Sequence, residues 1–336
     1  MSLADVTICI PAWNAERFIE RTLSYATGQT YRSIRILVSI DRSDDGTEAI
    51  CRSQARQDPR IDVRVQTERF GWSENANFLL DHVDTEFCFL YFHDDIIEPT
   101  YTERLRETLL NHPEARSVHC DLQRFGDKDG ILTGNSYDGT VTERLVDLLV
   151  GPVRGAPLRS LLRSELIAQG LRFPGIAGDA SGFWRCQPFL MRLIAAGPAL
   201  RVPEVLYRRW FREGSLTATW HPDGQDALID GQPESAKFCL EIIKALNIPE
   251  AERQLLCFCL YIFMVSWTRR YELRLKSQRL VKPEVISEAF PTARLPNDTS
   301  SLDPKYLEWV LRAHAKLLSM ENKHAREQGV LPAGRE

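Results

Sequence analysis

Three times within the first 82 residues, a short run of β-branched and apolar residues gives way to a polar, turn-forming cluster and then to apolar residues at helical spacing. Val6-Thr-Ile-Cys-Ile10 stops at Pro11, and Trp13-Asn14-Ala15 leads into an expected helix over 16–25 with Phe18, Ile19 and Leu23 on its buried side. Ile34-Arg-Ile-Leu-Val-Ser-Ile40 runs into Asp41-Arg-Ser-Asp-Asp-Gly-Thr47, ahead of a helical stretch over 47–55. A third strand over 61–66 leads through Arg69-Phe-Gly-Trp-Ser73 to a helix over 74–82. Strands alternating with helices across short connections predict an α/β fold, with a mainly parallel sheet covered on both faces.

The fourth apolar run, Phe87-Cys-Phe-Leu-Tyr-Phe92, carries no charge and ends in His93-Asp94-Asp95. A buried strand therefore delivers ionisable groups at its carboxyl end, where ligands of open α/β sheets collect. Adjacent carboxylates there suit a hard cation or a diphosphate–metal complex. They suit equally a helix cap, with Pro99 as the first helical residue. On the residues alone, both readings stand.

Composition narrows the field of functions. The chain has 336 residues, 43% hydrophobic and 26% charged, enough for one large or two moderate domains. A formal charge of −4 gives no basic footprint for nucleic acid, so any anion must be held locally. The eight cysteines lack paired metal-ligand spacing and read as reduced, small hydrophobes of a cytoplasmic protein. The opening Met-Ser-Leu-Ala-Asp has no signal-peptide pattern. The apolar run 255–267 is shorter than the roughly 20 residues of a bilayer span, which leaves a buried helix or an interfacial, peripheral membrane contact.

The succession Ile10-Pro-Ala-Trp-Asn14, Leu37-Val-Ser-Ile-Asp41 with Ser43-Asp-Asp-Gly-Thr47, then Gly71 and Asn77, then His93-Asp94-Asp95 resembles the nucleotide-sugar half of family-2 glycosyltransferases, which have the GT-A fold. The resemblance implies that Pro11, Ala12 and Asn14 shape the loop around base and ribose. It implies further that Asp41 accepts from the base and that Asp94 lies at the metal and diphosphate. Gly71, Asn77 and His93 belong to the same site, His93 facing either it or the core. Arg69 takes a place that is often polar or basic in the family, or is a solvated charge. Relatives commonly read Asp-x-Asp-Asp at the fourth strand, whereas here Phe92 replaces the first acid. A divalent cation, Mg or Mn, would then have Asp94 as its direct protein ligand, with diphosphate and water completing the shell.

Asp179, Arg192-Leu-Ile-Ala-Ala-Gly197, Val202-Pro-Glu-Val-Leu-Tyr207 and Gly214-Ser-Leu-Thr217 resemble the second half of the same family. That resemblance makes Asp179 the catalytic base, although an acid ahead of a helix is also an N-cap. Gly178 stands where a Glu is frequent. Arg212 takes the place of a His that often ligates the metal. Arginine cannot ligate a metal but can pair with phosphate oxygens. Of Arg208, Arg209 and Arg212, one is expected to be a solvated surface charge.

The expected domains are a GT-A domain over 1–220, divided at about 105 into nucleotide-sugar and acceptor halves, and a helical extension over 221–336. The extension offers a surface for a homodimer, and His314 on its apolar stripe reads as packing. The expected function is inverting transfer from a nucleotide-diphospho-sugar, a UDP-sugar above others, to a hydroxyl of a saccharide or glycolipid. A catalytically inactive nucleotide-sugar-binding relative is the alternative.

Overall fold

The four apolar runs form strands β1 (Val6–Ala12), β2 (Ile34–Ile40), β3 (Ile61–Val65) and β4 (Phe87–Leu90), joined by helices α1 (Ile19–Thr27), α2 (Thr47–Gln57) and α3 (Trp72–Asp81). The structure is a computed structural model that describes residues 4–151, 156–177, 179, 182–212, 231–275 and 303–327. Within it the four strands pair in parallel in the order β3-β2-β1-β4. β1 does not stop at Pro11 but runs to Ala12. Its pairing with β4 ends at Cys9, whereas pairing with β2 continues through Pro11 opposite Ser39. Pro11 thus has a ladder on one side only, which a residue without an N–H tolerates.

The chain continues through β5 (Ile96–Ile97), α4 (Tyr101–Asn111), β6 (Ser117–Gly126), β7 (Gly130–Leu132), α5 (Val141–Val150), β8 (Leu161–Arg163), α6 (Glu165–Ala168), α7 (Cys186–Ala196) and β9 (Ala199–Phe211). The sheet extends beyond β4 in the order β8-β6-β9-β5, with β7 on β6. β8 is antiparallel to both its neighbours, so the sheet is mixed, its first four strands parallel. β9 runs as far as Phe211 because parallel β6 supports it to that point. The register shifts between Cys120 and Leu122, opposite Pro203 and Glu204, so that Pro203 sits where no ladder N–H is required. Every residue of β1 is buried, and Ile8, Ile10, Ile36, Val38, Phe89 and Tyr101 form the fully buried centre of the core. Each such side chain contributes about 1.5–3 kcal/mol on burial.

Contacts divide the chain into two compact units. The first comprises Met1–Asp138, Val153–Pro174 and Arg192–Ala218, and holds the sheet. The second comprises Gly139–Pro152, Gly175–Met191 and Thr219–Glu336. In the second unit α5 starts at a capping box of Thr140 and Glu143 and packs against α9 (Glu250–Leu275) and α10 (Pro304–Glu327). α8 (Gln232–Ala245) is tied in by Gln232 Nε2, which donates to the Met264 carbonyl at 3.0 Å, and by Ser235 Oγ, which donates to the Trp184 carbonyl at 2.9 Å. His314 packs edge-on to the Phe258 ring at 5.1 Å. Among the described residues no helix is long and apolar enough to cross a membrane.

Candidate functional site

The loops after β1 and β2 are clasped together by side-chain-to-backbone bonds. Asn14, at φ 43°, donates its N–H to Ser43 Oγ at 3.0 Å and accepts the Asp44 N–H on Oδ1 at 3.1 Å. Its left-handed backbone is one that Asn adopts more readily than most residues. Ala15 N–H donates to Thr47 Oγ1 at 2.7 Å, and Glu16 N–H to Asp45 Oδ2 at 3.0 Å. Glu16 returns the bond by accepting the Gly46 N–H at 3.0 Å. Asp45 is a turn acid: burial raises its carboxyl, but the donors of the Thr47 hydroxyl and of the Glu16 and Thr47 N–H groups outweigh that and hold it below the usual carboxylate range.

Asp41 is buried at the end of β2, where Oδ1 accepts the Phe70 N–H at 2.7 Å and Oδ2 the Gly71 N–H at 2.8 Å. The carboxylate therefore fixes the loop after β3, and each oxygen keeps a second lone pair. Gly71 has φ 84°, which a side chain would strain. Arg69 lies over the Trp13 ring at 3.4 Å from its centroid, a cation–π stack joining the first and third loops. Asn77 is bound both ways to the backbone of Phe173: Nδ2 donates to its carbonyl and Oδ1 accepts its N–H, each at 2.9 Å. Its role here is to anchor residue 173 to α3.

The fourth strand end assigns different work to its adjacent residues. Phe92, in place of the first acid, packs edge-on to Trp72, which packs on Phe173. His93 Nδ1 lies 3.2 Å from the Pro11 carbonyl, an obligate acceptor, so this nitrogen is the donor and the ring turns toward the end of β1. Asp95 is buried and accepts from Arg159 Nε and Nη2 at 3.3 and 3.2 Å, from Tyr207 Oη at 2.9 Å and from the Trp210 N–H at 3.1 Å. Burial pushes its carboxyl upward, and the Arg159 guanidinium opposes that rise. Asp94, less enclosed, has Arg212 Nη2 at 3.3 Å from Oδ2, and Arg21 Nη2 at 3.3 Å from its carbonyl. Arg209 is pulled down to about 10 by burial and by the nearby charge of Arg159. Arg208 pairs with Glu98 at 2.7 Å on the more exposed side of β9 and is the surface charge of the three.

Asp94 offers one carboxylate to a cation and already has a guanidinium against it. Among the described residues no three His, Cys, Asp or Glu side chains come together as a metal-binding group. Asp95 is committed to Arg159, Tyr207 and Trp210, and Arg212 has no lone pair to give. Among the described residues Asp94 is thus the acid placed to meet a divalent ion, and it would have to exchange the Arg212 guanidinium for that ion.

Asp179, in the second unit, is buried and accepts the Phe183 N–H on Oδ1 at 3.1 Å and the Trp184 N–H on Oδ2 at 2.9 Å. A Cβ at Gly231 would meet its Cβ at 2.6 Å, so α8 begins against this acid. Gly178 and residues 214–217 lie outside the described residues. Arg21, Arg159, Arg209 and Trp13 were not singled out as site residues by sequence. Only the Tyr207-Arg-Arg-Trp-Phe-Arg212 run carried a signal, and nothing local distinguishes Arg21 or Arg159 from surface charge.

A parallel half-sheet with clasped loops at its strand ends, continued by a mixed half, is a GT-A-like fold. Residues 7–163 match the model of Glycosyl transferase family 2. It is similar to the glycosyltransferase GlyA of Streptococcus pneumoniae serotype 4, 25% identical over 243 residues, which are 68% of this chain and 34% of GlyA. It is also similar to the GalNAc(5)-diNAcBac-PP-undecaprenol beta-1,3-glucosyltransferase of Campylobacter jejuni, 26% identical over 94 residues, 28% of this chain and 30% of that protein. The chain thus spans about a third of the length of these curated relatives. Among solved structures, S. aureus TarS 1–349 in complex with UDP-GlcNAc superposes with a TM-score of 0.70 over 97% of this chain and 92% of that one, at 15% identity, a likeness of fold.

Proposed function

We propose that the protein transfers a sugar from a nucleoside-diphosphate donor, a UDP-sugar, to a hydroxyl of a saccharide or glycolipid, with inversion at the anomeric carbon. The observation that supports this best is the arrangement at the ends of β1, β2 and β4. Clasped loops present Asn14, Asp41 and the Trp13–Arg69 stack, and the β4 end presents Asp94 among arginines. The fold neighbour TarS was solved with UDP-GlcNAc, which favours uridine as the base. In the proposed reaction the acceptor oxygen attacks the anomeric carbon, and the bond to the diphosphate breaks with its electron pair leaving on that group. The hydroxyl proton passes to Asp179. A carboxylate is too weak a base to ionise an alcohol beforehand, so proton transfer accompanies bond formation and positioning supplies much of the rate. The two backbone donors on Asp179 fix the orientation of its carboxylate.

General-base assistance is worth about 10²–10⁴ in rate, so Asp179→Asn should lose most sugar transfer while UDP binding persists. Unchanged turnover in a folded variant would remove Asp179 from the mechanism. A second reading, a binding protein without turnover, draws on the packing of Phe92 against Trp72 where relatives place an acid. Tight UDP binding without donor hydrolysis or transfer to any of a broad set of acceptors would favour it.

A further inference from the structure

We propose that Asp95 is a positioning residue for sugar transfer: it grips the two chain segments that carry Asp94 and Arg212, and so sets how those two side chains meet the donor's diphosphate. The inference rests on the nucleotide-sugar reading above and concerns what holds that end of the site in shape.

Asp95 follows Asp94 in the chain, and its Oδ1 accepts the N–H of Trp210, two residues before Arg212. One carboxylate thus pins the end of β9 to the chain that leaves β4. Its own place is fixed from several sides. Arg159 and Tyr207 donate to Oδ2, and Tyr91 Oη donates to the Asp95 carbonyl at 3.0 Å. The Arg159 carbonyl accepts in turn from Tyr101 Oη at 2.5 Å. The Tyr207 ring meets those of Tyr91 and Tyr101 edge-on, at 6.2 and 5.9 Å. Asp95, Arg159 and the three tyrosines are all buried.

From Trp210 the same framework reaches the ligand side. The Trp210 ring packs edge-on to Phe18 at 5.4 Å, the Arg21 guanidinium lies 5.0 Å from the Trp210 ring centroid, and that of Arg212 lies 4.3 Å from the Phe18 centroid. Arg21 donates to the Asp94 carbonyl and Arg212 to its carboxylate, which closes a circuit back to Asp95. The inner half of the circuit is buried, and the outer half, Asp94 and Arg212, is only half-buried. A buried ion pair is a poor source of stability, since apolar residues of the same volume often serve as well. What this one supplies is geometry: the carboxylate reaches Arg159 and Tyr207 with one oxygen and the Trp210 N–H with the other. Misplacing a group that handles the substrate by about 1 Å can cost about 10²-fold in rate.

The test compares UDP with uridine. Uridine reports on the loops after β1, β2 and β3, whereas UDP reports also on Asp94 and Arg212. NMR titration of the full chain with Mg²⁺ present gives both affinities for the wild type, Tyr207→Phe and Asp95→Asn, each checked for folding by circular dichroism. Tyr207→Phe keeps the ring and removes one donor to Asp95; it should weaken UDP by about fivefold, and Asp95→Asn by about tenfold or more, while uridine changes by less than about twofold. In an Arg212→Gln background the loss from Tyr207→Phe should shrink, because both changes act on one contact. A merely structural role would move both ligands alike or neither. Equal losses for UDP and uridine, unchanged UDP affinity in Tyr207→Phe, or losses that multiply fully in the double variant would overturn the inference and spare the nucleotide-sugar reading. A wild type that binds no UDP would overturn both. Should Asp95→Asn not fold, Tyr207→Phe and the double variant decide the matter.

Discussion

Asp94 and Asp95 are adjacent, yet Asp95→Asn should destabilise the protein severely and Asp94→Asn hardly at all. The Asp95 side chain is 3% exposed, and its partner Arg159 is 9% exposed. Four donors converge on its two oxygens: two from Arg159, one from Tyr207 and one from the Trp210 backbone. Removing one member of a buried ion pair costs roughly 3–5 kcal/mol, because the other is left charged and out of water. Asparagine keeps the shape and one acceptor, which places the expected loss near the lower end, about 3 kcal/mol. The Asp94–Arg212 pair is 3.3 Å long and 18% and 23% exposed at its two side chains. Such a pair is worth about 1 kcal/mol or less. Urea unfolding of both variants at pH 7, followed by fluorescence, reads the difference as a shift in midpoint at constant slope. Equal losses in the two variants, or a loss under about 1 kcal/mol for Asp95→Asn, would refute the assignment of Asp95 to architecture and Asp94 to the ligand.

Two further outcomes follow from buried polar groups. Asp41→Asn turns an amide donor toward either the Phe70 or the Gly71 N–H, leaving one of them unpaired at about 1–3 kcal/mol. Amide hydrogen exchange at those two residues should quicken, and unaltered protection would show that the loop does not depend on the carboxylate. His119 is fully buried, and burial drops it to about 4. Because an unfolded histidine takes up its proton near 6.5, the folded state gains stability that is complete above that pH and is lost as pH falls toward 4. Between pH 7 and 5 the wild type should lose about 2 kcal/mol more than His119→Leu. Parallel losses in denaturant titrations at the two pH values would contradict this.

The parallel half of the sheet was legible because its signals are local. Each strand is a β-branched or apolar run, and each following loop and helix announces itself within a few residues, as at Asp41 to Thr47. Long-range pairing is not announced in that way. The extent of β9 depends on β6, about eighty residues earlier, and β8 is a strand because β4 and β6 leave a place between them. Pro11 read as a stop because the sequence does not show that one flank of β1 lies open there.

By itself the sequence determined that strands end in Asn14, Asp41 and Asp94, and that Phe92 and Arg212 stand where an acid and a histidine are usual in the family it resembles. Only the tertiary structure decided what those residues touch. It committed Asp95 to Arg159 and Tyr207, bound Asn77 to the backbone of Phe173, and brought Arg212 to Asp94 across 118 positions of chain. The physical reason is that a side chain's charge and donors are fixed by its chemistry, whereas its partner and its contact with water depend on which elements fold beside it. In the sequence the arginines around Asp94 are scattered surface charges. In the fold Arg212 reaches the Asp94 carboxylate and Arg21 its carbonyl.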